Sequence, residues 1–386
     1  MTILDLLARI DPSDRDALRG ALASHLRPTS ALGTGQDTGL VAVVEAEVRA
    51  DPREHIRLDA TGQATLEAAG RTFKAGRFET PRLRDLWLRA ERAKEARSGG
   101  VGGKLRFFVL VGRSPVNEIG MLQATAPDGS LFQLASQFNC LEAPDQDGIV
   151  DIARYIHDGT HGPRAAWSAF PGAFVRHYAA PMRDGTRIVQ QTDGPQINLL
   201  EELCADGAAS VTNGYLVTPN IRRPADFARA LEDRFDDIRV GLHDGIEVVL
   251  GNDWDGPVPR SPDLTIAQVL CSTVAGGHYS GLDARRPYPQ DILTIIRHLQ
   301  RAAHFGTLVA AAALGKSYAV LAPIGGGEFK NPAAEIWDAV LWAVDAVRPL
   351  LHRDLCVAFN ARGFGVSEDA LTEAAEARGG ALVVLE

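Results

Sequence analysis

Tyr318-Ala-Val-Leu-Ala-Pro-Ile-Gly-Gly-Gly-Glu-Phe-Lys-Asn-Pro332 runs from a short apolar segment into three consecutive glycines and on towards a helical pattern. A junction of this kind can hold a phosphate. Glycines let the backbone reach positive φ and approach a ligand closely, and the helix that follows opens with unpaired N–H groups and a partial positive charge. The same three glycines also meet the plain demands of a tight β-to-α turn, and the segment alone leaves both readings open.

Outward from this junction, apolar runs alternate with helical patterns. Arg106–Gly112, Leu131–Asn139, Ala173–Tyr178, Ile246–Leu250, Ile266–Thr273, Tyr318–Pro323, Leu355–Phe359 and Ala381–Leu385 read as strands, and Gly148–His157, Pro289–Ala313 and Ala334–Val347 as helices. The alternation predicts an α/β domain with a largely parallel or mixed sheet. Residues 1–98 read as a mostly helical region, with helical spacing at Asp14–His25 and Thr38–Ala50, a charged amphipathic pattern at Pro81–Ala96 and one short extended stretch. The glycine-rich segment Arg97–Gly103 reads as a flexible joint, which predicts a boundary near residue 100 and an α/β domain over 104–386. Between about 180 and 262 the pattern weakens into turns rich in Asp, Gly and Pro, as a large insertion decorating the sheet would show.

Composition narrows the function classes. With 386 residues, 45% of them hydrophobic, the chain can bury a large core. A formal charge of −9 argues against a mainly electrostatic nucleic-acid binder but leaves small anionic ligands open, because glycine loops and helix ends hold phosphate without a net basic surface. Cys140, Cys204, Cys271 and Cys356 are widely spaced and form no zinc-type cluster. Glu232–Asp237 lacks the glycine and the terminal glutamate of a calcium loop, so no metal site is expected, and nothing in the sequence implies a cofactor. Met1–Ile10 carries charges within its apolar stretch and does not read as a signal peptide, and no apolar patch is long enough to span a bilayer. The expected location is the cytoplasm.

In open α/β sheets ligands sit at the carboxyl ends of strands. Four such ends are polar or glycine-rich: Gln137-Phe-Asn-Cys-Leu-Glu142, His157-Asp-Gly-Thr-His-Gly-Pro163, Cys271-Ser-Thr-Val-Ala-Gly-Gly-His-Tyr279 and the glycine triplet. Their order resembles the macrodomain family, whose members bind ADP-ribose and in some branches hydrolyse ADP-ribosyl bonds. Leu131–Asn139 is similar to the family's strand ending in a ribose-binding asparagine. Gly159–Ala166 stands where a glycine-rich loop enters a helix, Ile266–Gly276 is similar to the strand ending in a His-Thr-Val-Gly type motif, and Pro289–Asn331 resembles the long helix, strand and diphosphate loop. The likeness extends from near Leu105 to near Val347 with the insertion set aside. It departs from the family at Gly159-Thr-His-Gly-Pro163 and at the Gly-Gly-Gly-Glu-Phe loop, and the triplet is not followed by the Gln-Glu-Glu run of a poly(ADP-ribose) glycohydrolase.

The resemblance implies a three-layer α/β/α fold with a mixed sheet and ADP-ribose, or an ADP-ribosylated substrate, as the partner. It implies that Asn139, with Gln137 beside it, orients the distal ribose, since a carboxamide donates to one hydroxyl and accepts from another. Gly325, Gly326, Gly327 and Glu328 would offer N–H groups to the diphosphate, Phe329 would pack on a ribose, and Asn331, Gly159, Thr160, Gly162 and His278 would border the ligand. For hydrolysis the candidates are Asp158, His161 and Glu142, because an oxocarbenium-like transition state needs a positioned water and a carboxylate or base nearby. Plainer readings compete: an Asx turn at Asp158-Gly159, a strand-end cap at Asn139, a core anchor at Phe329 and a helix cap at Asn331. A non-catalytic ADP-ribose-binding module and an α/β enzyme acting on another phosphorylated metabolite are the alternative functions.

Overall fold

The computed structural model describes residues 2–12, 38–97, 102–112, 117–181, 186–187, 190–250, 263–281 and 287–385. Its strands are β1 (Ile56–Leu58), β2 (Gln63–Ala68), β3 (Arg71–Glu79), β4 (Leu105–Val111), β5 (Leu131–Ala135), β6 (Leu216–Val217), β7 (Gly241–Glu247), β8 (Thr265–Cys271), β9 (Val274–Ala275), β10 (Tyr318–Leu321), β11 (Leu355–Asn360) and β12 (Leu382–Val384). Ten of them form one sheet in the order β1-β2-β3-β7-β8-β5-β10-β11-β4-β12, and β6 pairs with β9. From β8 to β12 all neighbours are parallel, whereas β1, β2, β3 and β7 extend the sheet antiparallel from β8. The mixed α/β architecture is therefore as the sequence predicts.

Two buried glutamines show how the sheet is covered on both faces. Gln133 lies opposite Val269 in the β5–β8 register and reaches Ala303 O of the helix Gln290–Leu314 (3.0 Å), while Gln268, one residue off that register, points the other way to Ala165 O of the helix His161–Ser168 (3.2 Å). The long helix follows Pro289 and buries Ile292, Ile295, Ile296 and Leu299 at helical spacing; it stops at Gly315, whose φ of 63° allows the left-handed closing turn. The parallel strands are buried on both sides, as in Phe107–Leu110 and Val357–Phe359, where each fully buried large side chain contributes about 1.5–3 kcal/mol of apolar transfer.

Several expectations need correction. The region 1–98 holds the expected helices Thr38–Ala50 and Leu83–Glu95, but in place of one short extended stretch three strands, β1–β3, lie between them and join the main sheet through the pairing of Ala75 with Ile246 and Phe78 with His243. The helix expected at 14–25 falls outside the described residues. Residues 180–262 contribute β6, the helix Pro224–Asp233 and β7, which sits inside the sheet between β3 and β8 rather than decorating it. The run Ala173–Tyr178 belongs to a helix, Phe170–Tyr178, because it is buried on every side and so carries no alternation to mark its period.

Candidate functional site

The parallel strands β8, β5 and β10 are adjacent, so the loops at their carboxyl ends converge. After β5 the chain folds back on itself at Cys140, which takes a φ of 62°. The carboxamides inside this turn are spent on it. Gln137 Oε1 accepts from Ala143 N (3.0 Å) and its Nε2 donates to Ala143 O (3.3 Å). Asn139 Oδ1 accepts from Leu141 N (3.1 Å) and its Nδ2 donates to Gln196 Oε1 (3.1 Å). Gly214, at a φ of 83°, seals this packing, since a Cβ there would meet Asn139 Oδ1 and Gln137 Cβ at 2.6 Å. Asn139 is 1% exposed, so the structure turns the implied ribose ligand inward, where it holds the loop in shape.

The loop delivers Glu142 to the floor of a cavity of about 190 Å³, walled by Val150, Arg154, Tyr155, Asp158 and Pro163. Glu142 is 2% exposed, and its backbone N–H donates to Tyr155 Oη (3.1 Å). The Ser136 hydroxyl directs its proton to Leu141 O (3.1 Å), and neither Glu142 carboxylate oxygen has a well-formed hydrogen bond among the described residues. Burial therefore pushes the Glu142 carboxyl well above the usual range; Arg176 and Ser136 oppose this and are outweighed, while Asp158 adds to it. Such a group keeps its proton where an exposed carboxylate has lost it. The helix His161–Ser168 starts so close to this carboxylate that only a residue without Cβ fits at Gly162, against Ala135 O and Glu142 Oε2.

Asp158 shares the cavity and is half-buried, and its Oδ1 accepts from Thr160 N (2.9 Å), an Asx turn at the mouth. Gly159 and Thr160 are exposed beside it. His161 departs from expectation: its ring nitrogens are enclosed without hydrogen-bond partners among the described residues, and burial, with Arg164 adding to it, lowers its pKa to about 4. It is neutral near pH 7 and gives up the poise that suggested it for proton transfer.

Behind the cavity lies a cluster that the sequence reading missed. Arg176, 1% exposed, donates from Nε to Cys140 O (3.1 Å) and from Nη1 to His243 Nδ1 (3.1 Å) and Gln268 Oε1 (3.4 Å). Because Arg176 only donates, the His243 proton sits on Nε2, which faces Ala75 O at 2.7 Å. Burial and then the Arg176 charge hold His243 well below its ordinary pKa, consistent with that neutral tautomer. A lone arginine in an apolar run is the signal the sequence offered.

The glycine loop after β10 stands beside the cavity. Gly325, at a φ of 73°, packs so that a Cβ would meet Thr273 Cγ2 at 2.5 Å, while Gly327 and Glu328 form the exposed crown. The Gly326 N–H is spent on Pro323 O (2.9 Å) and so is not offered to a ligand as expected. Asn331 pins the loop from within: Nδ2 donates to Val274 O (2.8 Å) and Phe329 O (3.1 Å), and Oδ1 accepts from Thr273 Oγ1 (3.0 Å). Phe329 packs with Tyr215 and Tyr279 at ring-centroid distances of 5.8 and 5.4 Å, as the core-anchor reading has it. Tyr215 and Tyr279 hydrogen-bond Ala143 O (2.5 Å) and Pro144 O (2.8 Å), tying the glycine loop to the Glu142 loop. His278 is exposed and lies against Tyr279 (3.8 Å between centroids), away from the cavity floor. Among the described residues no His, Cys, Asp or Glu group is arranged to hold a metal ion, and no helix is long and apolar enough to cross a membrane.

No protein-family model matches the chain, and no curated protein matches it in sequence. Among solved structures it is similar to a poly(ADP-ribose) glycohydrolase from Thermomonospora curvata bound to the inhibitor ADP-HPD, at 15% identity over 83% of this chain and 92% of that one, with a TM-score of 0.40. It is similar to the same enzyme in a further structure, at 15% identity over 88% and 99%, TM-score 0.39. A poly(ADP-ribose) glycohydrolase from Deinococcus radiodurans in complex with ADP-ribose is similar at 11% identity over 73% and 86%, TM-score 0.38.

Proposed function

We propose that the protein binds ADP-ribose, or a related nucleotide diphosphate sugar, and hydrolyses an ADP-ribosyl linkage at the Glu142 cavity. The observation that carries this reading is the Glu142 carboxyl: buried, with its pKa pushed upward by that burial, without a well-formed hydrogen bond among the described residues, and facing a cavity whose mouth carries a second carboxylate, Asp158. Two carboxyl groups in unlike environments divide the roles of acid and base. A cavity of about 190 Å³ is smaller than the pockets that enclose whole drug-sized ligands, so it takes the terminal sugar and leaves the diphosphate to lie outside, along the exposed crown at Gly327 and Glu328.

In this reading the bond between the anomeric carbon and the acceptor breaks as Glu142 passes its proton to the departing atom. Water then adds to the oxocarbenium-like carbon and gives its proton to Asp158. Calorimetric titration with ADP-ribose, with AMP and NAD as controls, tests the ligand. ADP-ribose is expected to bind in the micromolar range and tighter than AMP, and equal binding of the two would remove the terminal sugar, and with it this reading.

A further inference from the structure

The helix Thr38–Ala50 ends against the site, and its polar contacts there are specific. Glu45, 3% exposed, accepts from the backbone N–H of Ile152 (2.8 Å) and of Ala153 (2.7 Å) and from Tyr178 Oη (3.0 Å). Those two N–H groups are the unpaired donors at the start of the 3-10 helix Ile152–His157, whose own leading residue, Asp151, makes no side-chain cap. Asp151 instead pairs with Arg49 (2.8 Å), one turn beyond Glu45 on the same helix. The capped segment carries Tyr155, and Tyr155 Oη holds the Glu142 N–H at 3.1 Å. Hydrogen bonds and one short helix thus run unbroken from Glu45 to the backbone of Glu142.

We propose that the helix Thr38–Ala50 is a working wall of the site, and that Glu45 is a positioning residue that caps the 3-10 helix Ile152–His157 and, through Tyr155, fixes the place of Glu142. A carboxylate taken that far out of water needs a reason to be there, and two backbone donors with a tyrosine hydroxyl supply it. Burial raises the Glu45 pKa and the three donors pull against it. The other titratable groups about it include Asp151, Arg49, Tyr155 and Tyr178, with His177 stacked on Tyr178 at 4.4 Å. The capping stands on geometry alone, whereas its effect on turnover rests on the reading of Glu142 as the acid.

Hydrogen–deuterium exchange on the full chain tests the wall directly. Glu45→Ala should speed exchange of residues 139–158 by about tenfold or more, as loss of a charge-assisted set of bonds implies, while β4 and β11 keep their protection. Glu45→Gln, which keeps one acceptor oxygen, should fall between. Glu47→Gln on the same helix, where the carboxylate serves Ala69 N (2.8 Å), should leave 139–158 unchanged. Wild-type exchange of 139–158 in Glu45→Ala, or equal acceleration throughout the chain, would overturn the proposal. Should Glu45→Ala not fold, Glu45→Gln and Tyr155→Phe decide: the second must loosen 139–144 while sparing Ile152 and Ala153, and wild-type exchange in both sinks it. With a mono-ADP-ribosylated protein as substrate, Glu45→Gln should lower kcat at unchanged KM. Exchange as expected with no ADP-ribose binding by any form keeps the wall and discards the proposed function; normal turnover with unchanged exchange does the reverse.

Discussion

Asn331→Ala is the most informative single change to the glycine loop. The side chain is 5% exposed and makes three bonds of 2.8 to 3.1 Å, to Val274 O, Phe329 O and Thr273 Oγ1, with a longer contact to Gln300 Nε2 at 3.4 Å. Gln300 keeps its bond to Ile324 O (2.6 Å) without it, and the other three groups lose a partner. At about 1 kcal/mol for each bond, the loss of stability comes to about 3 kcal/mol. Thr273→Val removes one of the bonds and should cost about 1 kcal/mol. Urea denaturation of the wild type and both variants gives the values, and calorimetry on the folded variants gives ADP-ribose affinity, which should fall for Asn331→Ala because the loop from Gly325 to Lys330 is no longer held. An Asn331→Ala variant within about 0.5 kcal/mol of wild type, the range of ordinary surface substitutions, would refute the reasoning, since it would mean that the four contacts contribute nothing.

Gly162→Ala should destabilise by about 1–3 kcal/mol through overpacking against Ala135 O and Glu142 Oε2, whereas Gly159→Ala, whose Cβ would come no closer than 3.3 Å to the Arg164 guanidinium, should be near neutral in the same denaturation assay. Buried histidines should make the fold acid-sensitive: burial holds His177 at about 4 and His304 at about 3, both below the roughly 6.5 of an unfolded chain. Their neutral forms are favoured in the fold, so the stability they contribute is complete above about pH 6.5 and is lost as pH falls towards 4, at up to about 1.4 kcal/mol per unit for each group. Urea midpoints at pH 7.0, 5.5 and 4.5 check the slope, and His304→Leu should flatten it. Phe329→Ala should weaken ADP-ribose binding by loosening the tie between the two loops, read by calorimetry against an unchanged AMP titration.

The sequence displayed the parallel body of the fold well, because β4, β8, β10 and β11 are short apolar runs and the helix Gln290–Leu314 has both a clean apolar stripe and a glycine stop. The antiparallel half was harder to see. β7 is Gly-Leu-His-Asp-Gly-Ile-Glu, and its buried histidine makes sense only beside Arg176, which is 67 positions away in sequence. The helix Phe170–Tyr178 hid its period by being buried all round. At the site, sequence proximity picked out Gln137, Asn139 and Glu142 together, yet a left-handed turn at Cys140 sends the two amides inward and leaves the carboxyl at the cavity. No local pattern tells those directions apart. Glu45 lay beyond reach for a related reason, since a carboxylate on an amphipathic helix reads as solvated until the loop it caps, 107 residues on, is folded against it.

The central claim is that Glu142 is the acid of an ADP-ribosyl hydrolase. The most direct test is the release of ADP-ribose from a mono-ADP-ribosylated protein by the wild type and by Glu142→Gln, with both shown to be folded and titrated with ADP-ribose. The account predicts release by the wild type, and ADP-ribose binding by the glutamine variant with turnover reduced at least about a hundredfold, the usual scale of a lost general acid. Equal turnover by the two proteins would contradict it by taking Glu142 out of the chemistry.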